Sequence, residues 1–299
     1  MHLRETVLSA PFQKVDPSYN YALSQVFGAS LLKKLDDKHY PAKLQALFRS
    51  SGLCAEEDEW PLPKSLNVLY DYLSKHYRCE YVYKNEIANQ LLLERHSDNS
   101  ATLLRELASD SSIADIVIVN GNTSAYEIKT ELDNFDRLAN QLESYQTIYD
   151  CLYVVTHERA LNTLRQRLNP SVGLIVLDDE TRLHEARKAE SCTHLFDPAK
   201  AVLTLRQTEL VRELEPHFGK LPAMGTASIY RYCREQYLNM SKSEARELFY
   251  RALKSRRPAA HQFQLILECE KSIKMLLLGR DLPKRLCHTV REHLGLSVA

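Results

Sequence analysis

IADIVIVNGNTSAYEIKT (residues 113–130) reads as two strands joined by a tight turn. Ile113 to Val119 is rich in β-branched residues, and Asn120-Gly121-Asn122-Thr123 tolerates the positive φ that a hairpin turn needs. Ser124 to Thr130 is the return strand. Alternation places Asp115 on the face of Val117 and Val119, and sets Glu127 and Lys129 together, opposite Tyr126 and Ile128. Two charges interleaved with apolar residues are costly in a buried strand unless something compensates them. A divalent cation held by Asp115 and Glu127, with Lys129 beside it, would do so.

Outward from this hairpin the pattern alternates. Lys84 to His96 reads as a helix with Ile87 and Leu91 on its apolar stripe, and Glu86 near its start offers a third carboxylate. Phe135 to Tyr149 reads as a helix that projects Gln141 and Tyr145, four apart, from one face. Cys151 to Thr156 is a buried strand, His157 to Leu168 a helix and Val172 to Leu177 another strand. This order predicts an α/β fold with a mixed sheet.

The flanks read as helical. Tyr21 to Leu35 repeats apolar residues at three- and four-residue intervals, CAEEDEWPLPKS (residues 54–65) is a connection, and Leu66 to Tyr77 returns to helix. Beyond about residue 200 the strands stop. Helices are expected at Gln207 to Phe218, Ala227 to Leu238, Lys242 to Lys254, His261 to Leu277 and Pro283 to Leu294. The predicted organisation is a helical N-terminal region (1–62), an α/β core (63–200) and a helical, basic C-terminal region (201–299).

Composition bounds the function. The 299 residues carry no net formal charge and only 8 glycines, which argues against an all-β protein. The balance is uneven: residues 241–299 hold twelve Lys and Arg against six Asp and Glu, whereas residues 81–150 hold twelve acids against five bases. An acidic centre beside a basic region suits a cation site flanked by an anion-binding surface, although on charge alone solvated helices are the better account. The polar start, broken by Pro11 and Pro17, lacks the apolar core of a signal peptide. The longest apolar runs, such as Ile116 to Val119, fall far short of the roughly 20 residues of a membrane span. Seven scattered cysteines without CxxC spacing predict neither structural zinc nor a disulfide framework, and suggest the cytoplasm. No GxxxxGK[ST], GxSxG or GxGxxG occurs, so ATP hydrolysis, esterase chemistry and dinucleotide binding lack support.

Glu86, Asp115, Glu127-Ile128-Lys129 and Gln141-x-x-x-Tyr145, in that order, resemble the PD-(D/E)XK nuclease superfamily, with the last element similar to its RecB-like and Cas4-like branches. The resemblance spans residues 80–180 and implies a restriction-endonuclease-like mixed sheet. It also implies Asp115 and Glu127 as Mg²⁺ or Mn²⁺ ligands, Glu86 as an auxiliary ligand, Lys129 as the catalytic lysine, and Gln141 and Tyr145 as active-site support. The chain departs from the pattern in having Ile113-Ala114 rather than a proline before Asp115, no suitably placed upstream histidine, His76 being too early to align, and no four-cysteine iron–sulfur ligation. By the resemblance, the substrate is nucleic acid, DNA before RNA, and the setting is bacterial defence, restriction or repair. A homodimer or a partner protein of such a system fits two-sided cleavage.

Each element has a plainer reading. Asp followed by Glu-x-Lys occurs on solvated edge hairpins, Glu86 suits a helix's first turn, and Gln141 and Tyr145 suit half-exposed packing. The alternative function is a catalytically silent nucleic-acid-binding or complex-assembly module; a third is a scaffold whose acidic centre contacts a protein. His157-Glu158-Arg159, Asp178-Asp179-Glu180, Asp133, Asp136 and Arg137 read first as caps and turns. Lys254, Arg256 and Arg257, with Lys284, Arg285 and Arg291, form short basic clusters able to meet a nucleic-acid backbone. Tyr230 to Arg257 is compatible with a helix-turn-helix, with an accessory bundle the simpler account.

Overall fold

In the computed structural model, which describes residues 15–35, 37–96 and 99–296, the hairpin of residues 113–130 lies inside a six-stranded sheet. The strands are β1 Thr102–Ser109, β2 Ser112–Val119, β3 Thr123–Ile128, β4 Cys151–His157, β5 Gly173–Leu177 and β6 Leu183–Arg187, and they stand side by side in chain order. Pairs β1–β2, β2–β3 and β5–β6 are antiparallel, while β3–β4 and β4–β5 are parallel. Parallel neighbours need crossovers, supplied by the helices Leu138–Gln146 and Glu158–Arg167. The architecture is α/β, a mixed sheet flanked by helices.

The helices are α1 Asn20–Ser24, α2 Leu31–Lys34, α3 Tyr40–Ser51, α4 Leu62–His76, α5 Glu80–Glu86, α6 Leu138–Gln146, α7 Glu158–Arg167, α8 Pro198–Ala201, α9 Gln207–Phe218, α10 Thr226–Leu238, α11 Lys242–Lys254, α12 Ala260–Glu268, α13 Lys274–Leu277 and α14 Lys284–His293. They bury the two sheet faces separately. Ile116, Ile118, Tyr126, Ile128, Val155 and Ile175 pack with α1–α5 and α12–α14, whereas Val117, Val119, Ala125, Val154 and Leu174 pack with α6, α7 and α9–α11. The C-terminal helices are thus divided between the faces, with α11 on one and α12 on the other. Alternation of apolar side chains along each strand is what lets one sheet serve two cores.

Two strands depart from the sequence pattern. β1 was not expected, because Leu103, Leu104 and Leu107 have helix-like spacing; pairing with β2 overrides it. β6 is a polar edge strand with no apolar signal. Among the helices, the stretch 21–35 breaks into short turns, 261–277 splits at Cys269, and α5 continues as a π-helix from Ile87 to Leu93. The hairpin turn is the three-residue loop 120–122, with Gly121 at φ +73°. The polar start at residues 1–14, part of the expected helical N-terminal region, lies outside the described residues.

Candidate active site

β2 and β3 stop pairing at Ile116–Tyr126, while β1 and β2 run on together to Ser109–Ser112. The gap opens at Asp115. Its Oδ2 accepts the N–H of Ile128 at 2.8 Å, so a carboxylate takes the place of a ladder carbonyl. Across on β1, Glu106 adopts φ +49° between the pairs Arg105–Ile116 and Leu107–Ala114. That conformation is strained for a residue with a Cβ. Strand phase changes there as well: Ala114 shares a core with Val117 and Val119, which strict alternation would place on the opposite face.

Into this gap β3 delivers Glu127 and, just past its end, Lys129. Glu127 is 2% exposed, which excludes the solvated edge hairpin. Lys129 Nζ donates to Glu127 Oε1 at 2.8 Å and to Gln141 Oε1 at 3.0 Å. The Tyr145 hydroxyl lies 2.6 Å from the Ile113 carbonyl and 3.0 Å from Glu127 Oε2. Helix α6 therefore addresses both Lys129 and Glu127 from one face, as its four-residue spacing allows. Burial, then the neighbouring Glu127 carboxylate, pushes the Asp115 carboxyl up to about 7, against the pull of the Ile128 N–H. Two crowded carboxylates with one lysine leave negative charge to be offset.

Five of the six expected residues thus meet: Asp115, Glu127, Lys129, Gln141 and Tyr145. Glu86 does not join them. It lies on the α5 side of the sheet, fully buried, accepting from Tyr70 Oη at 2.6 Å and Gln90 Nε2 at 2.6 Å, and paired with Lys271 at 2.9 Å. The α5 acid that bears electrostatically on Asp115 is Glu80. Glu80 pairs with Lys84 at 2.5 Å, and Lys84 reaches Glu106 at 3.3 Å. Six residues separate Glu80 from Glu86, which turns them to different helix faces. Sequence reading missed Glu80, Lys84 and Glu106; the Glu-x-x-x-Lys spacing at 80 and 84 was the available signal. Among the described residues no group of three or more Asp, Glu, His or Cys side chains is arranged to hold a metal ion.

The secondary candidates are largely structural. Asp133 caps Thr130, accepting from its N–H and hydroxyl at 2.8 Å each. Asp178 binds His184 at 2.6 Å, and Arg78 bridges Glu131 and Asp179. In the basic clusters Arg256 pairs with Glu209, Lys254 donates to Ser100 and Val119 carbonyls, and Arg291 pairs with Glu268. These fix helices to the sheet or to one another. A cavity of about 530 Å³ lies along another face of α6, lined by Ala139, Leu142, Glu143 and Gln146 with Leu152 and Val172.

A sequence family described as bacteriophage P4 protein cII matches residues 74–276, two thirds of the chain and all of the residues gathered around Asp115. The chain belongs to the bacteriophage P4 protein cII family. Protein cII of Enterobacteria phage P4 is 26% identical to this cII-family chain over 102 residues, which cover 32% of this chain and 39% of the phage protein. Among solved structures, the SPO1766 protein of unknown function from Silicibacter pomeroyi is similar at a TM-score of 0.32 and 16% identity, over 45% of this chain and 87% of that one. No helix among the described residues of this cII-family chain is long and apolar enough to cross a membrane.

Proposed function

We propose that this chain is a metal-dependent nuclease of the PD-(D/E)XK type that hydrolyses phosphodiester bonds in DNA. The observation that carries the reading is the clamp on Lys129: Glu127 and Gln141 hold its ammonium beside the strand gap that exposes Asp115. An ammonium has three protons to donate; two are engaged, and the third is available to an attacking water or a phosphate oxygen. Tyr145 holds the second oxygen of Glu127, so the carboxylate is oriented from both sides.

Asp115 and Glu127 are the residues that would hold Mg²⁺ or Mn²⁺. Both offer hard oxygen donors, and their crowding leaves charge that a cation offsets. Mg²⁺ typically uses one or two carboxylates, with water and substrate phosphates completing its shell, so a two-carboxylate donor set fits. When bound, the ion supplies a Lewis acid for the phosphoryl oxygen and lowers the pKa of water. Lys129 then stabilises negative charge that develops on the phosphate. The reading carries with it a cytoplasmic setting and a role in defence against foreign DNA, restriction or repair.

The test is incubation of the purified chain with linear and circular DNA in Mg²⁺ or Mn²⁺. Cleavage that EDTA, Asp115→Ala and Lys129→Met each abolish is the expected result. A wild type that cleaves nothing, or an Asp115→Ala variant that cleaves as well as wild type, sinks the proposal. The diversion of Glu86 to Tyr70, Gln90 and Lys271 favours one second reading, a nucleic-acid-binding module without catalysis. That reading expects DNA binding with no cleavage and no effect of Asp115→Ala on either.

A further inference from the structure

A cavity of about 220 Å³ lies on the α5 side of β1, with Cys79, Glu80, Tyr81, Lys84, Arg105 and Glu106 in its lining. Glu106 lies across from Asp115, between the flanking pairs of the β1–β2 register, and Arg105 is one residue further along β1. The cavity therefore starts where the proposed active site ends.

Two cations, Arg105 and Lys84, line it, and a third, Arg280, adjoins Arg105 just outside the lining. Arg105 is half-buried and has no carboxylate within ion-pair distance among the described residues. Arg280, also half-buried, reaches the Ala29 carbonyl at 3.4 Å and likewise has no carboxylate partner among them. Gly279 explains why the two arginines adjoin. At φ +72° it has no Cβ, and one placed there would collide with Cγ of Arg105. The bare backbone lets the Arg105 stem lie across it, next to Arg280. Burial, then the charge of Arg105, lowers the Arg280 guanidinium from its ordinary range.

Glu80 and Glu106 hold Lys84 in ion pairs, while Arg105 and Arg280 act on Glu106 from a greater distance. With Lys84 held by Glu80 and Glu106, Arg105 and Arg280 are the cations free to meet an anion such as a phosphodiester. Half-buried guanidinium groups without a carboxylate partner cost free energy that a bound anion would offset. The planar fork of Arg suits phosphate oxygens, and its preorganised stem reduces the entropy lost on binding.

We infer that Arg105 and Arg280, with Lys84, form an anion subsite that holds a phosphate of the substrate strand next to the phosphodiester at Asp115 and Glu127. The identity of that strand rests on the nuclease reading; the anion preference rests on the cavity itself. Lys84 pairs with Glu80 and Glu106 and so offsets part of their charge, and Arg105 and Arg280 make the direct contacts.

The experiment measures anisotropy of a labelled single-stranded DNA oligonucleotide with the full chain in EDTA, across a series of salt concentrations. Arg105→Gln and Arg280→Gln should each weaken binding roughly tenfold and lower the salt slope by about one. Arg105→Lys should recover part of the loss, and inorganic phosphate should compete with the oligonucleotide on wild type. Wild-type affinity and slope in both Gln variants overturn the inference, as does a wild type that binds no oligonucleotide. Phosphate that binds wild type without displacing the oligonucleotide overturns it too, by showing a site for free phosphate alone. Circular dichroism checks that each variant folds; Arg280→Gln, outside the sheet, carries the test if Arg105→Gln does not. Repeating the assay in Mg²⁺ separates the two readings. Wild type that binds but never cleaves removes the nuclease reading and leaves the subsite. Wild type that cleaves with KM unchanged in both Gln variants does the reverse.

Discussion

The Asp115 carboxylate accepts the backbone N–H of Ile128 at 2.8 Å, at the point where β2 and β3 cease to pair. One side chain thereby ends a ladder, satisfies the amide left behind and occupies the opening with negative charge. A buried N–H requires a partner, and here the partner is also the leading candidate for chemistry.

Asp115→Asn separates those roles. The Asn oxygen can still accept from Ile128, so the fold should persist, while crowding against Glu127 disappears. The metal-free variant should melt roughly 2 °C or more above wild type at neutral pH, yet lose at least about 100-fold in DNA cleavage. Differential scanning calorimetry in EDTA and a plasmid-nicking assay check the two halves. A lower melting point would show that the charge pair stabilises the fold.

Lys129→Met strands Glu127, which is 2% exposed and pairs with Lys129 at 2.8 Å. Removing one partner of a buried pair leaves the other charge uncompensated, at a cost of about 3 kcal/mol. Adding Glu127→Gln should restore most of that stability and none of the cleavage. Urea titrations of the two single variants and the double variant measure the coupling.

Glu86→Gln should behave as a structural change. Its carboxylate ties Tyr70, Gln90 and Lys271 together away from Asp115, so the expected loss is about 1–3 kcal/mol of stability. Cleavage per folded molecule should stay within about twofold of wild type, since no catalytic contact is removed. A collapse of kcat in folded protein would return Glu86 to the catalytic set.

His157 makes stability depend on pH. Its Nδ1 is buried without a hydrogen-bond partner, and burial lowers its pKa from 6.5, with Glu131 opposing and Arg78 and Arg159 reinforcing the shift. The unfolded chain then binds the proton more readily than the folded one. The stability that neutral His157 contributes is complete above pH 6.5 and is lost as pH falls through the lower folded value. His157→Gln should flatten the fall in melting temperature between about pH 7 and about pH 5 relative to wild type. Parallel melting curves that keep the same slope would refute this.

The sequence by itself determined the elements that carry strong local signals. The β-branched run at 113–119, the Asn-Gly turn, the apolar strands at 151 and 173 and the helices at 207–218, 226–238, 242–254 and 284–293 stand where their patterns put them, because period and turn chemistry act over a few residues. Spacing also sufficed to bring Gln141 and Tyr145 to one helical face. Tertiary structure decided what depends on partners. β1 became a strand because β2 offered an edge, although its leucines suited a helix. The phase change at Asp115 and Glu106, which opens the gap, needs two strands before it exists. The helix read from sequence began at Lys84 and so took in Glu86 and left out Glu80, whereas α5 starts at Glu80. Only the orientation of α5 against the sheet turns Glu80 toward Asp115 and leaves Glu86 to Lys271, 185 residues further along the chain.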